Sequence, residues 1–290
     1  MFIRAGAWLG LAVIALTTVI YQPVQPQAQA QVQAQAAPPA ITAADDNTRK
    51  LNLVSQLAML SQYLPRSLCF GLIRQHATQS SELGFASELF NQTLDDLRKG
   101  SDIQEILPVT EPDIVAALDR TALIWKDFAA AVAARDAAAA VKLDPDLLAA
   151  AQSALQLLEA RNKATGVKPG IAAVLRFGGV QRMLTQKASK EFCLVAADRD
   201  ADANKQRLAA TVAQIDDALR LLLNVDGPDT GEIADQFATV EKRWAGLRAV
   251  LLRATAGTSP TPEDVNAVAR SNVAVMTAFS RLVEIYELAE

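Results

Sequence analysis

The stretch that decides the fold is Leu175-Arg-Phe-Gly-Gly-Val-Gln-Arg-Met-Leu-Thr-Gln-Lys-Ala-Ser-Lys-Glu-Phe-Cys193. It reads as a helix with an apolar stripe. Two adjacent glycines, Gly178 and Gly179, notch that helix. Residues so small let another helix or a ligand approach the backbone closely. Gln181-Arg182 stands just before Met183-Leu184. An arginine beside such a notch is a ready fork for a small planar anion.

The same pattern occurs earlier, as Leu51-Asn-Leu-Val-Ser-Gln-Leu-Ala-Met-Leu-Ser-Gln-Tyr-Leu-Pro-Arg-Ser-Leu-Cys69. With Met59 set on Met183, Leu60 meets Leu184, Ser61 meets Thr185, Gln62 meets Gln186 and Cys69 meets Cys193, without a gap. The chain has two cysteines, and both fall at the same place in the repeat. The expected arrangement is two equivalent helices packed side by side about a pseudo-two-fold axis.

Working outward, the 290 residues are rich in Ala and Leu and only 5% aromatic. That composition points to an all-α protein. The net charge is −4, and no basic face of the kind nucleic-acid binding needs is evident. One histidine cannot supply the Glu-x-x-His pairs of a di-iron bundle. There is no Cys-x-x-Cys-His, Gly-x-Ser-x-Gly or phosphate loop. No cofactor, metal or enzymatic activity is expected. Asp95-Asp96 and Asp216-Asp217 are poor co-ligands, because neighbours on a helix point in different directions, and they read as a solvated face. His76 reads as surface.

The N-terminus has the layout of a secretory signal peptide over residues 1–30. Arg4 is followed by the apolar run Ala5 to Ile20, then by small-residue sites at Ala28-Gln-Ala30 and Ala34-Gln-Ala36. The alternative is an uncleaved inner-membrane anchor over residues 5–21, only just short of a span. Either reading places the body outside the cytoplasm, periplasmic or secreted. In an oxidising compartment two cysteines usually pair. A Cys69–Cys193 disulfide is therefore expected, against the alternative of two buried free thiols. Residues 31–44 are Gln/Ala/Pro-rich and read as a disordered tether.

The body divides into residues 45–168 and 169–290. In the first part, a helix over about Asn47 to Gln75 carries the face Val54, Leu57, Ser61, Leu64 and Leu68, with Pro65 inside it expected to kink it or break its hydrogen-bond ladder. A second helix spans about Gln79 to Lys99 and stops at Gly100. Thr110-Glu-Pro-Asp113 opens a third, with Trp125, and Asp144-Pro145 is expected to cap a fourth. In the second part, Pro169 starts the first helix, which breaks near Asp198 to Asp202. The next ends near Asp226-Gly227-Pro228. The third carries Trp244 and ends before Gly257, and Thr261-Pro-Glu-Asp264 caps the last. Each part reads as an up-down four-helix bundle, the two together standing in for a symmetric dimer. Trp125 and Trp244 read as core anchors. Gln62 and Gln186 either hydrogen-bond each other across the pseudo-two-fold or lie on the surface.

Gly178 to Lys187, Gly-Gly-Val-Gln-Arg-Met-Leu-Thr-Gln-Lys, resembles the signature of the PilJ-type, or NarX-like, sensor domain. That is the N-terminal domain of type IV pilus methyl-accepting chemotaxis transducers, related to the periplasmic part of nitrate/nitrite sensor kinases. The resemblance covers both parts of the body, with its one strong motif in the second. It implies a four-helix bundle that senses small ligands outside the cytoplasm. In the nitrate-sensing branch the arginine before the Met grips the anion at the junction of two bundles. By resemblance that residue is Arg182, supported by Gly178, Gly179, Gln181 and Gln186. The first part departs from the pattern, with Ala58 at the matching position and Val54-Ser55 in place of the glycines. A two-arginine site is thus excluded. The sequence reaches Glu290 without a second membrane helix or a signalling module, so a membrane signalling or envelope partner is expected to carry the output.

Overall fold

The computed structural model describes residues 40–74, 79–222 and 231–289. The signal-peptide reading, most of the tether, His76, Gln75 and the Asp226-Gly227-Pro228 stop lie outside the described residues. Among those described, the secondary structure is helical apart from one isolated bridge between Ser101 and Ile106.

Helix α1 spans Ala43–Arg74, α2 Gln79–Lys99, α3 Pro112–Ala133 and α4 Ala137–Ala160. After the short α5, Asn162–Thr165, come α6 Pro169–Ala196, α7 Ala201–Leu222, α8 Gly231–Thr255 and α9 Pro262–Ala289. Helix α1 packs on α2 and α4, and α3 on α4 and α2. Helix α6 packs on α7 and α9, and α8 on α9 and α7. The most extensive contact of all is α1 on α6. Residues 40–289 belong to one compact unit with a shared apolar core.

The seam between α1 and α6 runs in one direction. Ser55 meets Gly179, Gln62 meets Lys190 and Cys69 is joined to Cys193, so contacts advance along both helices together. The two helices are therefore parallel. Both sit at the centre and are buried nearly all round. The expected face Val54, Leu57, Ser61, Leu64 and Leu68 is buried in full. The cysteines form a disulfide with Cα atoms 6.1 Å apart.

Several helix ends follow their sequence signals. Pro112 opens α3 and Pro169 opens α6, where a missing N–H costs nothing. Gly100 and Gly257 take positive φ just after α2 and α8. Thr261 and Asp264 cap α9 reciprocally: the Asp264 amide donates to Thr261 Oγ1 at 3.2 Å, and the Thr261 amide to Asp264 Oδ2 at 3.1 Å.

Other expectations are corrected. The tether does not reach residue 44, because α1 already begins at Ala43, with the Asp45 amide donating to Thr42 Oγ1. Helix α1 runs through Pro65 to Arg74, in keeping with a helix expected over about Asn47 to Gln75. Packing on α2, α4 and α6 outweighs the one ladder bond that proline forfeits. Asp144-Pro145 is not a cap. Helix α4 starts earlier, at Ala137, with Asp136 Oδ1 accepting from the Ala139 amide at 2.9 Å, and Pro145 lies inside it.

Trp125 and Trp244 are buried, as core anchors should be. Trp125 Nε1 donates to Asn91 Oδ1, and Trp244 Nε1 donates to Asp216 Oδ1 at 2.8 Å. Asp216 thus departs from a solvated face, since it also accepts from Arg248 Nε, and Asp96 is buried beside Gln92. Asp95 and Asp217 remain exposed, paired with Lys99 and Arg220.

Candidate functional site

Arg182 is half-buried on the α1–α6 seam, and its Nη2 donates to Asn52 Oδ1 across the seam at 2.8 Å. Ala58, the matching position on α1, is buried and apolar. The glycine notch is filled by protein. A Cβ at Gly178 would come within 2.2 Å of Val283 Cγ2 on α9, and one at Gly179 within 2.6 Å of Ser55 Oγ on α1. Small residues here admit helices, which is what lets α6 be enclosed on two sides.

Gln181 and Gln186 are buried, not surface residues. Gln181 Nε2 donates to the Ile215 carbonyl of α7 at 3.0 Å, and Gln186 Nε2 to Asn272 Oδ1 of α9 at 3.1 Å. Each amide oxygen lacks a hydrogen-bond partner. Gln62 makes no bond to Gln186. Its Oε1 accepts from Lys190 Nζ at 2.7 Å instead. The five residues singled out at the sequence level thus share α6, but point to three neighbours: Arg182 and Gly179 to α1, Gly178 and Gln186 to α9, and Gln181 to α7.

A charged cluster beside this seam escaped the sequence reading. Lys190 Nζ also donates to Asp144 Oδ2 of α4 at 2.7 Å, and both side chains are almost fully buried. Burial pushes the Asp144 carboxyl above its ordinary range, and the Lys190 ammonium pulls it only part of the way back. One turn away, Lys187 Nζ donates to Thr211 Oγ1 at 2.6 Å and pairs with Glu191 Oε1 at 2.8 Å. Glu191 Oε2 is buried with no hydrogen-bond partner. A signal was present: Lys190 stands seven residues after Met183, on the same stripe, where an ionisable group demands a partner.

Among the described residues, two clefts flank the seam. One, of about 1020 Å³, lies among α4, α6 and the start of α7, and Lys187, Lys190, Glu191 and Leu194 form its α6 wall. The other, of about 570 Å³, lies among α1, α2, α9 and Gln186 of α6, and its α1 wall is Met59 together with Tyr63, Arg66, Ser67 and Phe70. These four pairs of positions are each 124 apart, the same separation as the two cysteines. Arg182 lines neither cleft.

A central helix with the Gly-Gly-x-Gln-Arg-Met run, enclosed by three following helices, is what the comparison with known families picks out. Residues 170–270 match the PilJ family, the type IV pili methyl-accepting chemotaxis transducer N-terminal domain. The PilJ match takes in α6, α7, α8 and the opening turns of α9. It points to a sensory rather than a catalytic module. Residues 45–168 lie outside the PilJ match. No curated protein and no solved structure matches the chain. Among the described residues, no helix is long and apolar enough to cross a membrane, and no group of three or more His, Cys, Asp or Glu residues is placed to hold a metal ion.

Proposed function

We propose that the protein is an exported sensory module of the PilJ, NarX-like type. A small planar anion of the nitrate or nitrite class binds at Arg182 between α1 and α6, and a membrane signalling partner reads the bound state. The observation that carries this reading is the Arg182–Asn52 bond across the seam. An anion that drew the guanidinium away would replace an inter-helix bond with a ligand contact. The bound state would then differ in how α1 meets α6. Gly178, Gly179, Gln181 and Gln186 act here by fixing α6 against its neighbours.

The body is read as a tandem duplication, residues 45–168 and 169–290. The repeated separation of 124 at Ser55–Gly179, Cys69–Cys193 and the walls of the two clefts supports this. Export, by a cleaved signal peptide or an uncleaved anchor, is supported by the disulfide, since such bonds persist in oxidising compartments.

The test is a thermal-shift titration of the oxidised protein with nitrate, nitrite and a panel of anions. A ligand bound only by the folded state adds about 2.7 kcal/mol at a hundredfold excess over Kd. A saturable shift that disappears in Arg182→Ala supports the site, and an Arg182→Ala protein with full affinity sinks it.

A second reading is a ligand-free scaffold that docks a pilus, chemotaxis or other envelope protein. It is favoured by the glycine notch, which Val283 and Ser55 already fill, and by Ala58 in place of a second arginine. Absence of any anion-induced shift, with a specific partner recovered from the envelope fraction, would select it.

A further inference from the structure

The cleft among α4, α6 and α7 carries chemistry that the Arg182 site does not use. Its volume of about 1020 Å³ is enough to enclose a small molecule. Val141, Leu148 and Leu194 give it an aliphatic wall. The α6 wall holds Glu191, whose side chain is only 2% exposed. Glu191 Oε1 is paired with Lys187, and Oε2 has no donor. A buried carboxylate oxygen left without a donor is costly, so its persistence points to a group supplied from outside. The neighbouring ammonium groups are already engaged, Lys187 with Thr211 and Glu191, Lys190 with Gln62 and Asp144.

Charge narrows the ligand. Lys187, Lys190, Asp144 and Glu191 sum to zero formal charge, so an ammonium placed against Glu191 calls for a carboxylate on the same ligand. A zwitterion supplies both. At the mouth, Arg207 on the second turn of α7 is exposed, lines the cleft and donates from Nη1 to Asn204 Oδ1 at 3.2 Å, which uses one of the five N–H donors of its guanidinium.

We propose that this cleft binds an aliphatic L-α-amino acid. The ammonium donates to Glu191 Oε2, the carboxylate meets the Arg207 guanidinium, and the side chain lies on the Val141–Leu148–Leu194 wall. This site is separate from the anion site at Arg182.

Equilibrium dialysis of the full, oxidised chain against labelled L-leucine tests it. 4-Methylpentanoate, which lacks the ammonium, and 3-methylbutylamine, which lacks the carboxylate, serve as competitors. L-Leucine is expected to saturate one site, with each competitor at least about tenfold weaker. Arg207→Ala weakens binding severalfold, Glu191→Gln weakens it about tenfold, and Arg182→Ala leaves it unchanged. Arg207 is exposed, so its variant reports on the site even where Glu191→Gln disturbs folding. No saturable binding of L-leucine, equal competition by either analogue, or full affinity in Arg207→Ala overturns the proposal. Loss of binding in Arg182→Ala would also overturn it and move the ligand to the α1–α6 seam.

Discussion

Ser55 lies directly against Gly179, 2.6 Å from where a Cβ would stand, and the two are 124 residues apart, the separation that also joins Cys69 to Cys193. Two contacts with one offset, fourteen residues apart on each helix, fix α1 and α6 as a parallel pair in constant register. Everything else packs around that pair, so changes along the seam should have the largest effects.

The disulfide closes a loop of more than a hundred residues, and such a link chiefly restricts the unfolded chain. Reduction, or the double change Cys69→Ser with Cys193→Ser, is expected to cost roughly 2–4 kcal/mol. Thermal or urea denaturation with and without reductant reads this directly. An unchanged midpoint would mean that the α1–α6 seam holds in the unfolded ensemble without the bond.

Gly178 has no room for a methyl group, since Val283 Cγ2 occupies the place. Gly178→Ala should cost about 1–3 kcal/mol through overpacking. Val283→Ala in the same chain removes the opposing methyl and should recover part of the loss. A double-mutant cycle by urea denaturation measures the coupling. Additive costs would show that α9 moves aside instead.

Lys190 and Asp144 are each tolerable only because the other is present. Lys190→Met leaves a buried carboxylate without its cation and should cost about 3–5 kcal/mol. Lys190→Met combined with Asp144→Leu should lie much closer to the parent, because no orphaned charge remains. Melting midpoints of the parent and the two variants settle the order.

Asp264 offers the pH test. The Thr261 amide, then the Arg253 guanidinium, hold its carboxyl below the ordinary value of 3.8. A lowered folded value means a contribution present above that ordinary value and lost as pH falls through the folded one. The parent protein should therefore melt higher than Asp264→Ala near neutral pH. The gap should narrow as the solution is acidified below the ordinary aspartate range. A gap that is constant down to strong acid would assign the effect to helix propensity, not to the cap.

Much of the architecture was legible in the chain. The apolar periodicity of α1 and α6, the prolines opening α3, α6 and α9, and the matched cysteines depend on residues close in sequence or on one repeated pattern. Those signals are local, and local physics sets helix starts and stops. Asp144-Pro145 misled for the same reason. A local rule reads Asp-Pro as a helix start, whereas packing against α1 and α3 keeps α4 continuous through Pro145.

The sequence by itself determined that the chain is helical, where most helices begin, that two cysteines occupy matching places and that Arg182 sits beside a glycine notch. Only the tertiary structure decided what fills that notch, that Gln62 turns to Lys190 and not to Gln186, and that Lys187, Lys190, Asp144 and Glu191 converge beside a cleft. The physical reason is distance along the chain. A buried side chain's partner is chosen by which helix packs against it, and Asp144 and Lys190 are 46 residues apart. No spacing rule links such a pair until α4 and α6 are side by side.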